Sequence, residues 1–309
     1  MWDIVGRRYW YFAFSLLVTV PGLIALLIGL LGGGLPLGID FTGGSLLKIR
    51  FDDTPPQPGD IKAIYAEFDF DDSQVQTLED NGIQIRSRAM DDATKNEIAA
   101  VIGDRHGAFT ELEFSSVSAT IGAEVIQGAV QTIGIATVVI MGYLWWAFRR
   151  VPHAFRYSVA AILGLLHDVA VIVGMTALFG QFLGWQVDSL FLTALLTMLG
   201  FSVQDKIVVF DRIRENLLRR QGGRYEQIVN LSIIQTVARS LVTQLTMFFT
   251  MLALALFGGI TIRNFIVIML VGLLSGTYSS IFNAAQILVV WENREWRTWF
   301  RRRPAGQAA

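Results

Sequence analysis

The sequence predicts an α-helical polytopic membrane protein with six transmembrane helices and a small α+β, ferredoxin-like domain between the first two. Three observations lead there. Hydrophobic residues make up 53% of the 309 and charged residues only 17%, against about 25% charged in an average soluble chain. The apolar residues gather in six windows near the length a bilayer needs, because about 20 residues rising about 1.5 Å each cross about 30 Å of hydrocarbon. Between the first two windows the composition reverses: residues 36–120 hold 16 acidic and 7 basic side chains, which suits a domain in water. The mean hydropathy of +0.48 agrees. The chain has no cysteine, which excludes a disulfide framework and thiolate chemistry.

The spans are expected at residues 11–33, 123–148, 155–180, 185–210, 236–257 and 264–291. The second ends in an aromatic belt of Tyr143, Trp145 and Trp146, the residues that settle at headgroup level. Arginines set the orientation. They cluster at Arg7 and Arg8, at Arg149, Arg150 and Arg156, at Arg212, Arg214, Arg219, Arg220 and Arg224, and in the tail from Arg294. These regions fall on one side of the membrane only if there are six spans. Lys and Arg mark the cytoplasmic side, so residues 1–10, the 211–235 loop and the basic 292–309 tail are expected inside, and residues 34–122 outside. The first window is longer than the apolar core of a signal peptide and no small-residue cleavage site follows it, so it is read as a retained anchor.

Within the outer domain, residues 45–51 (SLLKIRF) alternate as a strand does. Ile61, Ile64, Tyr65 and Phe68 share one helical face within 59–68. Residues 73–78 and 83–88 form two further strands around Asn81-Gly82, a two-residue hairpin signal. Asp91 or Asp92 caps a helix reaching about Ile102, and 109–117 returns as a strand. The order β-α-β-β-α-β is that of a ferredoxin-like split unit. His106 is expected in a solvated loop, and no metal-ligand spacing occurs there.

Ionisable groups at membrane depth are costly and so point to function. Asp168, Asp205, Lys206 and Arg239 stand inside the spans, with His167 beside Asp168. Asp205 lies six residues before Asp211, about 9 Å inside the fourth span. Arg239 enters the fifth span from the same side, so the two are expected to face each other across neighbouring helices. Desolvation favours a neutral carboxyl and an adjacent cation favours the ionised one; a carboxyl between those pulls can load and release a proton. Arginine does not deprotonate and would serve as a fixed counter-charge. A proton moving down the membrane potential releases about 2.3 kcal/mol per 100 mV. Each residue also has a structural reading: an aspartate paired for packing, a snorkelling Lys206, an Arg239 reaching headgroups, a His167 bonded to a neighbouring helix. Spacing alone leaves both open. Asp211 with Arg212 reads as an interfacial charge pair.

Gly272, Gly276 and Ser280 fall at four-residue intervals in the sixth span, where small residues let helices approach. Gly43-Gly44 lacks the Lys-Ser/Thr of a phosphate loop and reads as a tight turn. No nucleotide or hydrolase motif appears, and no cofactor is expected other than protons as coupling ion. The basic segments adjoin the membrane, so anionic lipid rather than nucleic acid is their expected partner.

These motifs together resemble the SecF branch of the SecD/SecF family, part of the RND superfamily of half-transporter type. Residues 38–44 (GIDFTGG), Leu166-His167-Asp168, 199–216 (LGFSVQDKIVVFDRIREN), Gln235-Thr236 with Arg239, 257–259 (FGG) and 275–282 (SGTYSSIF) occur in the family's order. The resemblance implies a bacterial inner-membrane subunit that works with SecD and the SecYEG channel. The pair would use the proton-motive force to assist late translocation of unfolded exported polypeptides. It implies that Asp205 and Arg239 belong to the proton pathway, that the Asp168 carboxylate is a further member, and that the chain is not an enzyme. The sequence departs from the family at Lys206, where Thr or Ser is common, and at Asn283 and Gln286. Lys206 and His167 are then modulators of the proton site, Lys206 either lowering the proton affinity of Asp205 or turning away from it. Two other readings compete. One is a half-size exporter of lipids or small molecules, the other an intramembrane hydrolase using its two carboxylates.

Overall fold

The computed structural model describes residues 2–32, 37–78, 80–149, 153–219 and 223–295; Arg150, Arg220 and the tail from residue 296 lie outside them. In chain order the elements are α1 (Arg8–Gly32), α2 (Ile39–Thr42), β1 (Gly44–Phe51), α3 (Pro58–Glu67), β2 (Gln74–Thr77), β3 (Gly82–Ser87), α4 (Asp92–His106), β4 (Phe109–Val117), α5 (Ala119–Phe148), α6 (Ala154–Leu183), α7 (Ser189–Arg219), α8 (Tyr225–Phe257), α9 (Ile260–Tyr278) and α10 (Ala285–Glu292). A π-helical turn, Ser279–Ala284, joins α9 to α10 in one continuous rod. Six of these helices are long and apolar enough to cross a membrane. The chain divides into two compact units, one holding the six long helices apart from the first part of α5 and the other formed by Leu37–Thr132 with Gln186–Ser189.

In the second unit the four strands form one antiparallel sheet in the order β2-β3-β1-β4. That is the order a β-α-β-β-α-β chain reaches when each crossover skips one strand. Leu47, Ile49, Ile83 and Ile85 point to one face and pack with Ile61, Ile64 and Tyr65 of α3 and Ile98 and Ile102 of α4. Burial pushes the Tyr65 phenol pKa up. Asp91 caps α4 by accepting from the Thr94 N–H at 3.0 Å. Two expectations shift. The positive φ angles of the β2–β3 turn fall on Asp80 and Asn81, at 55° and 57°. Gly82 is already in the ladder opposite Arg50, so the turn sits one residue earlier than Asn81-Gly82 implied. His106 ends α4 rather than standing in a loop, where a basic ring suits the helix C-terminus. Gly43 and Gly44 do form a turn, with φ of 73° and 118°; a Cβ on Gly44 would lie 2.7 Å from the Ser87 carbonyl oxygen.

In the helical unit, α1 crosses α6 where two glycines meet. A Cβ on Gly22 would fall 2.6 Å from the Gly174 Cα. Such bare backbones allow close van der Waals contact where lipid offers no hydrophobic drive. Asn283 and Ser15 join α1 to the π turn, with Asn283 Nδ2 donating to Ser15 Oγ at 2.7 Å. Gln286 is fully buried, and neither end of its amide has a partner among the described residues. A core of Leu144, Phe148, Tyr157, Phe210, Ile213 and Val289 fills one end of the unit. α5 and α8 are the least buried of the six long helices.

Candidate functional site

The charged residues inside the spans stand near the midpoints of α6, α7 and α8. α7 carries two of the four, Asp205 and Lys206. Ser202 and Lys206 lie one turn apart and face the same way, whereas Asp205 is about 100° round the helix from Lys206. That rotation sends the two charges to different neighbours.

Lys206 turns to α6. Its Nζ donates to Asp168 Oδ2 at 2.8 Å and to Ser279 Oγ at 2.9 Å, and it also bonds Ser202 Oγ. Asp168 collects three hydroxyl donors besides: Ser202 at 2.5 Å, Ser279 at 2.7 Å and Ser275 at 2.9 Å. His167 Nδ1 lies 3.2 Å from the other carboxylate oxygen. Asp168 is 1% exposed and Lys206 0%. Gly164, one turn before Asp168, makes the space: a Cβ there would sit 2.5 Å from Lys206 Cε. The π turn carries Ser279 into this cluster, and such turns concentrate at functional places in helices.

Asp205 turns to α8 and hydrogen-bonds Gln244 Nε2. It is 5% exposed and makes no ion pair among the described residues. The expected facing of Asp205 and Arg239 is corrected here. Arg239 is five residues from Gln244, about 140° around the same helix, and its side chain is exposed. Helical rotation, invisible to a depth argument, separates them. Of the two behaviours expected of Lys206, it turns away from Asp205 and pairs with Asp168.

Gly272 and Gly276 lie against α7, where their Cβ positions would meet Met198 at 2.5 Å and Ser202 at 3.1 Å. Ser280 falls in the wider π turn and bonds the Thr277 carbonyl oxygen at 2.9 Å. Asp211 pairs with Arg214 at 2.6 Å and Arg212 with Glu215 at 2.5 Å, not with each other, because helical neighbours in sequence do not face. Arg212 also donates to Gln235 Oε1 at 2.6 Å, which accepts from Asn216 as well at 2.9 Å. Among the described residues no group of three His, Asp or Glu side chains gathers as a metal site. The sequence reasoning missed Gly164, Ser202, Ser275, Ser279 and Gln244. The signal was there for four of them: Gly164 and Ser202 stand four residues before Asp168 and Lys206, and Ser275 and Ser279 are themselves one turn apart.

Six helices long and apolar enough to cross a membrane, with a closed ion pair buried on one face of α7 and on another a carboxylate that has no ionic partner among the described residues, are the build of a multi-pass membrane protein. Comparisons narrow the class. Residues 98–294 match the family described as protein export membrane protein SecD/SecF, C-terminal, and residues 28–55 match the SecD/SecF GG motif. The chain belongs to the SecD/SecF family of protein-export membrane proteins. It is 48% identical over 305 residues to the protein translocase subunit SecF of Anaerolinea thermophila, covering 98% of both chains. It is 35% identical to SecDF of Bacillus subtilis, covering 95% of this chain and 38% of that one. A crystal structure of SecDF from Thermus, described as a translocon-associated membrane protein, superposes with a TM-score of 0.80 at 30% identity, covering 95% of this chain and 40% of that one. This chain therefore spans about two fifths of the SecDF chains it matches, and its relatives are subunits of a translocase rather than enzymes. These likenesses support a role in protein export.

Proposed function

We propose that the chain assists export of unfolded polypeptides by exchanging protons at Asp205, in complex with a SecD-type partner beside the SecYEG channel, in the bacterial inner membrane. The observation that carries this reading is the contrast on α7. Asp205 is buried at mid-helix with a neutral amide as its hydrogen-bond partner, and no ion pair among the described residues cancels its charge. A carboxyl in that setting changes its interactions when it gains or loses a proton, and the change is felt by α8 through Gln244. The arginine pattern supports cytoplasmic termini and an outer domain on the opposite side.

The partner is supported by SecDF relatives in which both parts are one chain and by the surface of α8. Arg239, Thr243, Thr246 and Thr250 form an exposed stripe along it. The threonine hydroxyls bond back to their own helix, which leaves Arg239 as the group in need of a neighbour. An arginine at that depth seeks a carboxylate on another helix, and the threonines permit close approach. Arg239 would thus join the proton pathway across a subunit boundary. Arg149 over Trp146, at 4.9 Å to the ring centre, and exposed Trp2 and Trp10 near Arg7 suit anionic headgroups.

The test is Asp205→Asn, assembled with its partner and the channel in sealed vesicles carrying a pH gradient. The variant is expected to assemble and to lose gradient-dependent release of an exported chain. Release at the wild-type rate would refute the proposal.

A further inference from the structure

Every acceptor position of Asp168 is occupied. An ionised carboxylate offers about four lone-pair sites. Here Oδ1 accepts from Ser275 at 2.9 Å and lies 3.2 Å from His167 Nδ1, and Oδ2 accepts from Ser202 at 2.5 Å, Ser279 at 2.7 Å and Lys206 at 2.8 Å. Lys206 in turn spends all three of its N–H donors, on Asp168, Ser202 and Ser279. No ammonium proton of Lys206 waits for an acceptor; the one unpartnered atom beside the pair is the buried Nε2 of His167, on the far side of the ring from Asp168. The bare Gly164 accommodates the lysine, since Lys206 Cε is the nearest atom to where its Cβ would be, at 2.5 Å.

We infer that the Lys206 ammonium is the permanent occupant of an oxygen cage made by Asp168, Ser202 and Ser279, and that this tethered cation withdraws Asp168 from ion exchange. A carboxylate with hydroxyl oxygens is a donor set suited to hard cations; here the cation is covalently part of α7 and cannot leave. The cage therefore joins α6, α7 and the π turn whatever the state of Asp205. Few other groups can disturb it. Titratable side chains facing Asp168 are His167 on its own helix and Lys206 on α7. α9 and the π turn contribute serines, and Tyr278, whose ring centre is 6.4 Å from that of His167, donates its hydroxyl to the Tyr11 carbonyl oxygen of α1. The inference rests on the proposed proton exchange only in naming Asp205 as the remaining exchanging carboxyl of the chain.

The test is pH-difference infrared spectroscopy of the full chain in lipid, in buffer free of sodium and potassium, which reads the C=O stretch of each carboxyl that takes up a proton. Removing both members of the pair, Asp168→Asn with Lys206→Met, is expected to leave the wild-type carboxyl bands unchanged. Lys206→Met alone is expected to add one band, which Asp168→Asn then removes. A wild-type band lost in the double variant would overturn the inference, as would a folded Lys206→Met protein with no added band. If Lys206→Met does not fold, wild type against the double variant still decides. Absence of any band sensitive to Asp205→Asn would count against the proton-exchange proposal and not against the cage.

Discussion

Gly164→Ala has opposite effects depending on what occupies the cage. In the wild type the new methyl lands 2.5 Å from Lys206 Cε. The lysine stem is flexible, but moving it pulls Nζ off Asp168 and Ser279, so the clash is relieved only by weakening the ion pair. Overpacking of a buried site costs roughly 1–3 kcal/mol, and breaking a buried pair outright costs about 3–5 kcal/mol. Against these stands a helix-propensity gain of about 1 kcal/mol for alanine over glycine. Where the site relieves the clash by overpacking alone, the net loss is about 0–2 kcal/mol. In an Asp168→Asn/Lys206→Ala background the obstructing carbon is gone and the next neighbour, Ala284 Cβ, is at 3.4 Å, ordinary contact. There Gly164→Ala is expected to be neutral or stabilising by up to about 1 kcal/mol. The propensity gain is common to both backgrounds, so their difference is a coupling of roughly 1–3 kcal/mol, within the range for touching residues. Reversible unfolding of the four proteins in one detergent measures it. An equal effect of Gly164→Ala in both backgrounds would refute the claim that this glycine exists for the lysine.

Two further outcomes are expected. Gly174→Ala puts a methyl 2.8 Å from the Gly22 Cα, and backbone cannot swing aside, so its unfolding midpoint should fall well below that of Gly200→Ala, where the site is open; equal midpoints would reject the α1–α6 crossing. Hydrogen bonds from Thr94 hold the Asp91 pKa below the usual carboxylate range, so the cap's contribution is full above the unfolded pKa and is lost as pH falls through the folded one. Hydrogen exchange at the start of α4 should therefore quicken in Asp91→Ala at neutral pH and match the wild type in acid; a gap that persisted in acid would show that the cap does not act through its charge.

Much of this architecture follows from short-range pattern. Six apolar windows become six long helices because backbone polar groups in lipid can be satisfied only within the helix. The outer strands follow from alternation: Leu47 and Ile49 on β1 and Ile83 and Ile85 on β3 leave one register in which all four face the helices. The Asn81-Gly82 signal announced a hairpin, yet the ladder moved the turn by one residue, since pairing of Gly82 with Arg50 settles the register.

The sequence by itself determined which ions stand inside the spans, because a charge in an apolar span is costly wherever it points. Only the tertiary structure decided their partners. Asp205 and Arg239 have matching depths along their helices, and depth is a property of sequence position. Which way each side chain faces depends on helix rotation and on the π turn that brings Ser279 to Asp168, and these are set by packing among helices far apart in the chain. That is why Lys206, a departure when read beside Asp205, proves to belong to Asp168.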